Sequence, residues 1–199
     1  VSCYSPMEGY LTIPLSVMAS SLLSYVGQNY GAKEKQRIKN GIRDVFIIDM
    51  ICYALIVIIG FIIIPNVPYI FLPKNELAGE EGSKIMYYCS TYLKILIPFL
   101  IMQGIVQMSR SCLQGIKKPI IPFLSGIGEL VARVVICLFI PGWINPSNPT
   151  SNESYLGICF STPIAWVVSA IIMGGSVIYI IFIKNLRSLD QITNIEKEA

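Results

Sequence analysis

The sequence contains no histidine, which excludes a zinc site built on imidazole and a histidine proton relay. Charged residues make up 14% of the 199 residues, against roughly a quarter in a soluble domain. No G-x-x-x-x-G-K-[ST] loop is present, so the chain itself does not bind ATP through a P-loop. The net charge of +3 is small, and we expect no nucleic-acid partner.

The six cysteines include no C-x-x-C pair, and most of them lie within apolar runs. We therefore interpret them as buried small hydrophobic residues rather than as metal ligands. Residue 1 is valine, and no basic segment precedes the first apolar run, so we expect no secretory signal peptide. We expect the chain to be a fragment of a longer protein.

Apolar residues dominate the composition: 54% of the chain is hydrophobic, and the mean hydropathy is +0.64. Runs long enough to cross a bilayer recur along its whole length. The sequence therefore predicts an all-α polytopic membrane protein with five transmembrane helices. The predicted spans are residues 9–26, 45–64, 84–113, 120–140 and 156–183. We assign residues 1–186 to one transmembrane domain and residues 187–199 to a polar cytoplasmic tail.

Basic residues fix the predicted orientation of these spans. The linker over residues 29–43 carries five of them, and we expect it to form a separate short amphipathic helix at the membrane surface. With this linker in the cytoplasm, eleven basic residues lie inside and two outside. The sequence thus predicts an external N-terminus and a cytoplasmic C-terminus.

Polar residues recur every four positions in the first span, where they wind slowly along one side of a helix. Such a stripe serves either close helix packing or the lining of a watery cavity, and both interpretations stay open. The third span also carries polar residues at depth, two of which share a face. The pathway candidates from both spans are Glu8, Thr12, Ser16, Ser20, Lys94, Gln103 and Gln107.

Three further charged residues lie within apolar runs. Glu129 and Arg133 are four apart with the acid first, the favoured order for an intrahelical ion pair. Each charge alone is costly within a bilayer, so we expect the two to pair. Asp49 lies near the cytoplasmic end of the second span, and we expect it at the interface, paired with a cation of the linker.

Several stretches resemble a known family. The segment Gly27-Gln28-Asn29-Tyr30-Gly31-Ala32-Lys33, followed by a basic linker, resembles the second helix of a half-repeat in multidrug and toxic compound extrusion (MATE) transporters. Residues 110–119, 128–134 and 162–166 resemble later helices of the same half, in the same order. The resemblance implies that the chain corresponds to helices two to six of one six-helix half, most like the second half of such a transporter. The first helix of this half and the whole other half would then be missing.

The resemblance implies a secondary active transporter in the plasma membrane, with no enzyme activity and no cofactor. It would export organic cations or amphipathic drugs by antiport against H⁺ or Na⁺, with the lipid bilayer and the missing half-bundle as partners. Glu8, at the outer end of the stripe, would exchange a proton or bind Na⁺. Two alternatives remain: a flippase for lipid-linked oligosaccharides, which the scarcity of cations within the spans disfavours, and a non-functional remnant of a transporter.

Overall fold

The computed structural model describes residues 5–64, 79–146 and 152–186, which form helices without a strand. The helices are α1 (Ser5–Gly31), α2 (Lys35–Ile63), α3 (Gly79–Gly115), α4 (Ile120–Ile144), α5 (Asn152–Cys159) and α6 (Ser161–Val177), the last continued by a π-helix (Ile178–Ile183). Five segments within these ranges are long and apolar enough to cross a membrane. The predicted all-α fold with five transmembrane helices is thereby confirmed. The predicted tail at 187–199 lies outside the described residues.

Helix α3 is the centre of the bundle and contacts α1, α2, α4, α5 and α6. Two hydrophobic clusters are built around it, one on Leu96 and Leu100 and the other on Leu113 and Ile116. The surrounding helices keep their outer faces apolar, and Leu138 of α4 remains 71% exposed. Since a helix that is apolar all round suits lipid better than water, these outer faces fit a bilayer.

The prediction of a separate surface helix at 29–43 is wrong. Helix α1 continues to Gly31, and α2 already begins at Lys35. Most of the predicted linker is therefore the first part of α2. Ile38 and Ile42, one turn apart, are buried in the cluster around Leu113, so tertiary packing extends the helix through a segment that is polar on its other faces.

Helices α1 and α3 each end in a turn of the same type. The Glu34 N–H donates to the Asn29 carbonyl at 2.9 Å, and the Lys118 N–H donates to the Leu113 carbonyl at 2.8 Å. Each pair spans five residues, and the residue before each donor has a positive φ, 61° at Lys33 and 59° at Lys117. This is the Schellman motif, in which that position is usually glycine.

The fifth predicted span is interrupted. A membrane-long segment exists over Ser154–Ile183, but α5 ends at Cys159 and α6 begins at Ser161. Pro163 explains the break, because it has no N–H to donate to the Cys159 carbonyl four residues earlier. The segment then ends in the π-helix, a form that is rare and often found at functional sites.

Candidate functional site

The polar stripe of α1 lies on a face that the described helices cover only in part. Thr12 and Ser16 are half-buried, and Ser20 is exposed. Their hydroxyls donate to carbonyls of the same helix, Thr12 to Gly9 at 3.0 Å and Ser20 to Ser16 at 2.9 Å. These hydrogen bonds satisfy the hydroxyls within α1 itself. The Glu8 side chain lies outside the described residues.

The three polar candidates of α3 do not form one group. Lys94 is exposed, whereas Gln103 and Gln107 are half-buried. At about 100° per residue, Lys94 and Gln103 lie on opposite sides of the helix. Lys94 therefore faces surroundings different from those of the two glutamines.

A polar network joins α4 to α6 and is centred on Glu129. Arg133 Nη2 lies 2.5 Å from Glu129 Oε1, within one helix. The Ser169 hydroxyl of α6 donates to Glu129 Oε2 at 3.3 Å, and the Ser125 hydroxyl donates to Ser169 Oγ at 3.3 Å. Both carboxylate oxygens thus have a donor, one from each helix.

Burial differs between the two charged members of this network. The Glu129 side chain is 13% exposed and that of Arg133 is 40% exposed, while Ser125 and Ser169 are buried. Arg133 Nε is buried and has no hydrogen-bond partner within the described residues. The network therefore places an anionic group between two membrane helices, and one N–H of its cation remains available to a further acceptor.

Asp49 does not lie where the sequence predicted. It is only 1% exposed, and neither carboxyl oxygen has a hydrogen-bond partner among the described residues. The expected pairing with a linker cation is wrong, because Arg43 binds Asp44 at 3.1 Å instead. Its Oδ2 faces Gly104 of α3, where a glycine leaves room for the carboxyl. Asp49 is thus a buried, unpaired acid among packed helices.

A cavity of about 480 Å³ opens between α2, α3, α6 and the π-helix. Its volume lies in the range of about 300–1,000 Å³ usual for small-molecule sites. Apolar side chains such as Phe46, Ile105 and Val177 line most of it, and Lys39 and Arg43 add positive charge. Its shape and lining suit an amphipathic molecule with an apolar body.

The glycine-containing motifs at the ends of α1 and α3 contact each other. A Cβ at Gly115 would lie 2.8 Å from Val26 Cγ1 and 3.3 Å from the backbone nitrogen of Gly27. Close approach of the two helices therefore requires glycine at position 115. Two of the four stretches that carry the family resemblance, residues 27–33 and 110–119, thus meet at one helix crossing.

Sequence reasoning missed two contributors to these sites. Ser125 gave no signal, because a lone serine in an apolar run is unremarkable. Ser169 gave no signal for this role either, because its bond to Glu129 is visible only once α4 and α6 are packed. Among the described residues, no group of three or more Cys, Asp or Glu side chains could hold a metal ion.

A match to a protein-family model identifies the family of this bundle. The MatE model matches residues 1–139, which include the helix crossing, Asp49 and the Glu129–Arg133 pair. No similar protein is found among curated proteins, and no similar structure among solved ones. Because the match covers more than half of the chain, the protein belongs to the MatE family of membrane transporters.

Proposed function

We propose that this chain is part of a secondary active multidrug exporter, which moves organic cations or amphipathic drugs outward in exchange for H⁺ or Na⁺. The observation that carries the proposal is the MatE match over residues 1–139. The network at Glu129 supports it, since ionisable groups within membrane helices tend to mark ion or substrate pathways.

The cavity beside α6 bears on the substrate class. Lys39 and Arg43 border it, so a strongly cationic molecule would meet like charge there. An amphipathic drug with a large apolar body fits the remaining lining better. We also propose that the chain lies in the plasma membrane with an external N-terminus, and that it acts together with a second half-bundle.

Reconstitution into liposomes tests the proposal. The chain, alone and together with a first half-bundle, is placed in liposomes loaded with ethidium, and dye efflux is followed after an H⁺ or a Na⁺ gradient is imposed. We expect efflux that requires one gradient and stops when an ionophore dissipates it. Translocation of a lipid-linked oligosaccharide without dye efflux would instead indicate the flippase. No movement of either would contradict an active transporter and favour the remnant.

A variant at Glu8 tests the coupling role. Glu8→Gln removes the charge but keeps the size of the side chain, so gradient-driven efflux should be lost while the amount of folded protein stays the same. Glu34→Gln is the control, because Glu34 is exposed between α1 and α2. Efflux at the normal rate in Glu8→Gln would exclude Glu8 from coupling.

A further inference from the structure

Asp49 lies at the midpoint of α2, with 14 residues on either side. Its side chain is directed at the junction of α1, α2 and α3. A Cβ added at Gly104 would lie 2.7 Å from Asp49 Oδ2, and Leu15 of α1 approaches the same point within 3.9 Å. The carboxyl therefore occupies the small volume that the missing side chain of Gly104 leaves.

The groups described around the Asp49 carboxyl do not stabilise a negative charge on it. Neither oxygen accepts a hydrogen bond, and no cation lies within salt-bridge distance among the described residues. Transfer of an isolated carboxylate out of water is so costly that such groups usually become neutral instead. A protonated carboxyl has lost that charge and fits the site far better.

Other titratable groups are distant from Asp49 along each helix. In α1 the nearest to Leu15 is Tyr10, five residues away, about 7.5 Å along the axis. In α3 the nearest to Gly104 is Arg110, six residues or about 9 Å away, and Lys94 lies ten residues or about 15 Å away on the other side.

On α2 itself, the nearest charged groups, Arg43 and Asp44, bind each other. Tyr53, one turn further on, donates its hydroxyl to the Pro98 carbonyl at 2.8 Å. Cys52 is a free thiol, and α6, which also packs on α3, has no acidic or basic residue. Among the described residues, no charged group of these helices forms an ion pair or a hydrogen bond with the carboxyl.

We propose that Asp49 is a proton-binding site, whose carboxyl is neutral while α2 packs against α3 at Gly104 and releases its proton only when the two helices separate and admit water. A metal cation fits less well, since hard cations such as Ca²⁺ take six or more oxygen ligands and the described residues hold no cluster of three or more acidic or thiol side chains. The inference rests on packing and holds whatever the transported substrate is.

Infrared spectroscopy of the chain in lipid membranes tests the protonation state. The native chain should show the C=O band of a protonated carboxyl at neutral pH, and Asp49→Asn should lack it. Asp44→Asn is the matched control, because it removes an exposed acid of the same helix and should keep the band. An identical spectrum in native chain and Asp49→Asn would overturn the proposal, as would loss of the band on adding Na⁺ at constant pH.

If Asp49→Asn does not accumulate, Asp49→Glu provides the same test, because an added methylene should shift the band rather than remove it. Amide hydrogen exchange then tests the link to packing. After correction for the base catalysis of amide exchange itself, raising the pH to alkaline values should speed exchange in α2 and α3 more in the native chain than in Asp49→Asn. Equal acceleration in both would overturn the coupling to helix separation. Because neither readout involves drug, failure here is distinct from failure of the proposed transport.

Discussion

The Ser169 hydroxyl of α6 donates to Glu129 of α4 at 3.3 Å, on the carboxylate oxygen that Arg133 does not bind. An intrahelical ion pair is thereby turned into a contact between two membrane helices. Pro122 and Ser125 are the only buried residues of α4, and Ser125 takes part in this contact through its hydrogen bond to Ser169.

Removal of one charge from this pair should destabilise the bundle. Glu129→Gln leaves Arg133 without its anion, at a cost of about 1–3 kcal/mol. This is less than the loss of about 3–5 kcal/mol for a fully buried pair, because Arg133 is 40% exposed. Glu129→Gln should lower the amount of folded protein seen by size-exclusion chromatography, and Glu129→Gln with Arg133→Gln should recover part of it.

The Ser169 hydroxyl should contribute less to the stability of the bundle than the Arg133 cation does. Ser169→Ala removes one neutral donor and should cost about 1 kcal/mol. Ser176→Ala is the control on the same helix, since its hydroxyl donates only to Ile172 of its own helix at 2.7 Å.

If Glu129→Gln accumulates normally but stops transport, the Glu129–Arg133 pair serves the transport cycle rather than the fold.

Substitution of Gly115 should separate α1 from α3. In Gly115→Ala the new Cβ would overlap the Val26 side chain at 2.8 Å and crowd the Gly27 backbone, an overpacking worth about 1–3 kcal/mol. We expect a lower thermal midpoint in detergent. Gly31→Ala is the matched control, because nothing lies within 4 Å of its added Cβ. Equal midpoints for the two variants would show that this crossing tolerates a wider spacing.

The sequence was sufficient for features that depend on composition and local spacing, but not for those that depend on packing. Long apolar runs predicted the five spans, and four-residue spacing predicted that Glu129 could reach Arg133. Asp49 was misplaced, because its distance from the linker cations suggested pairing while the space at Gly104 arises only when α2 meets α3. The linker was mistaken for a surface helix for the same reason: burial of Ile38 and Ile42 depends on residues about 70 positions later.

Lys33 and Lys117 have a left-handed backbone conformation, and replacing such a residue by glycine should stabilise the protein. Lys117 has a φ of 59°, a conformation that costs an L-residue about 1–2 kcal/mol. Glycine removes this strain, but part of the gain is lost because glycine also increases the conformational entropy of the unfolded chain. Lys117→Gly should therefore raise the thermal midpoint slightly. Lys118→Gly, at the next position, has no positive φ to relieve and should lower it or leave it unchanged. A fall in the midpoint of Lys117→Gly alone would show that the lysine side chain stabilises this turn.

The last prediction concerns orientation in the membrane. Lys35 begins α2 beside a run of basic residues, and Ser147 lies between the fourth and fifth spans in a segment that has no Lys or Arg. Since basic loops stay in the cytoplasm, these two positions should lie on opposite sides of the bilayer. With the native cysteines replaced by alanine, an impermeant thiol reagent added to intact cells should label Ser147→Cys but not Lys35→Cys. After permeabilisation both should react, which controls for access at each position. Labelling of Lys35→Cys alone in intact cells would reverse the predicted orientation of all five spans.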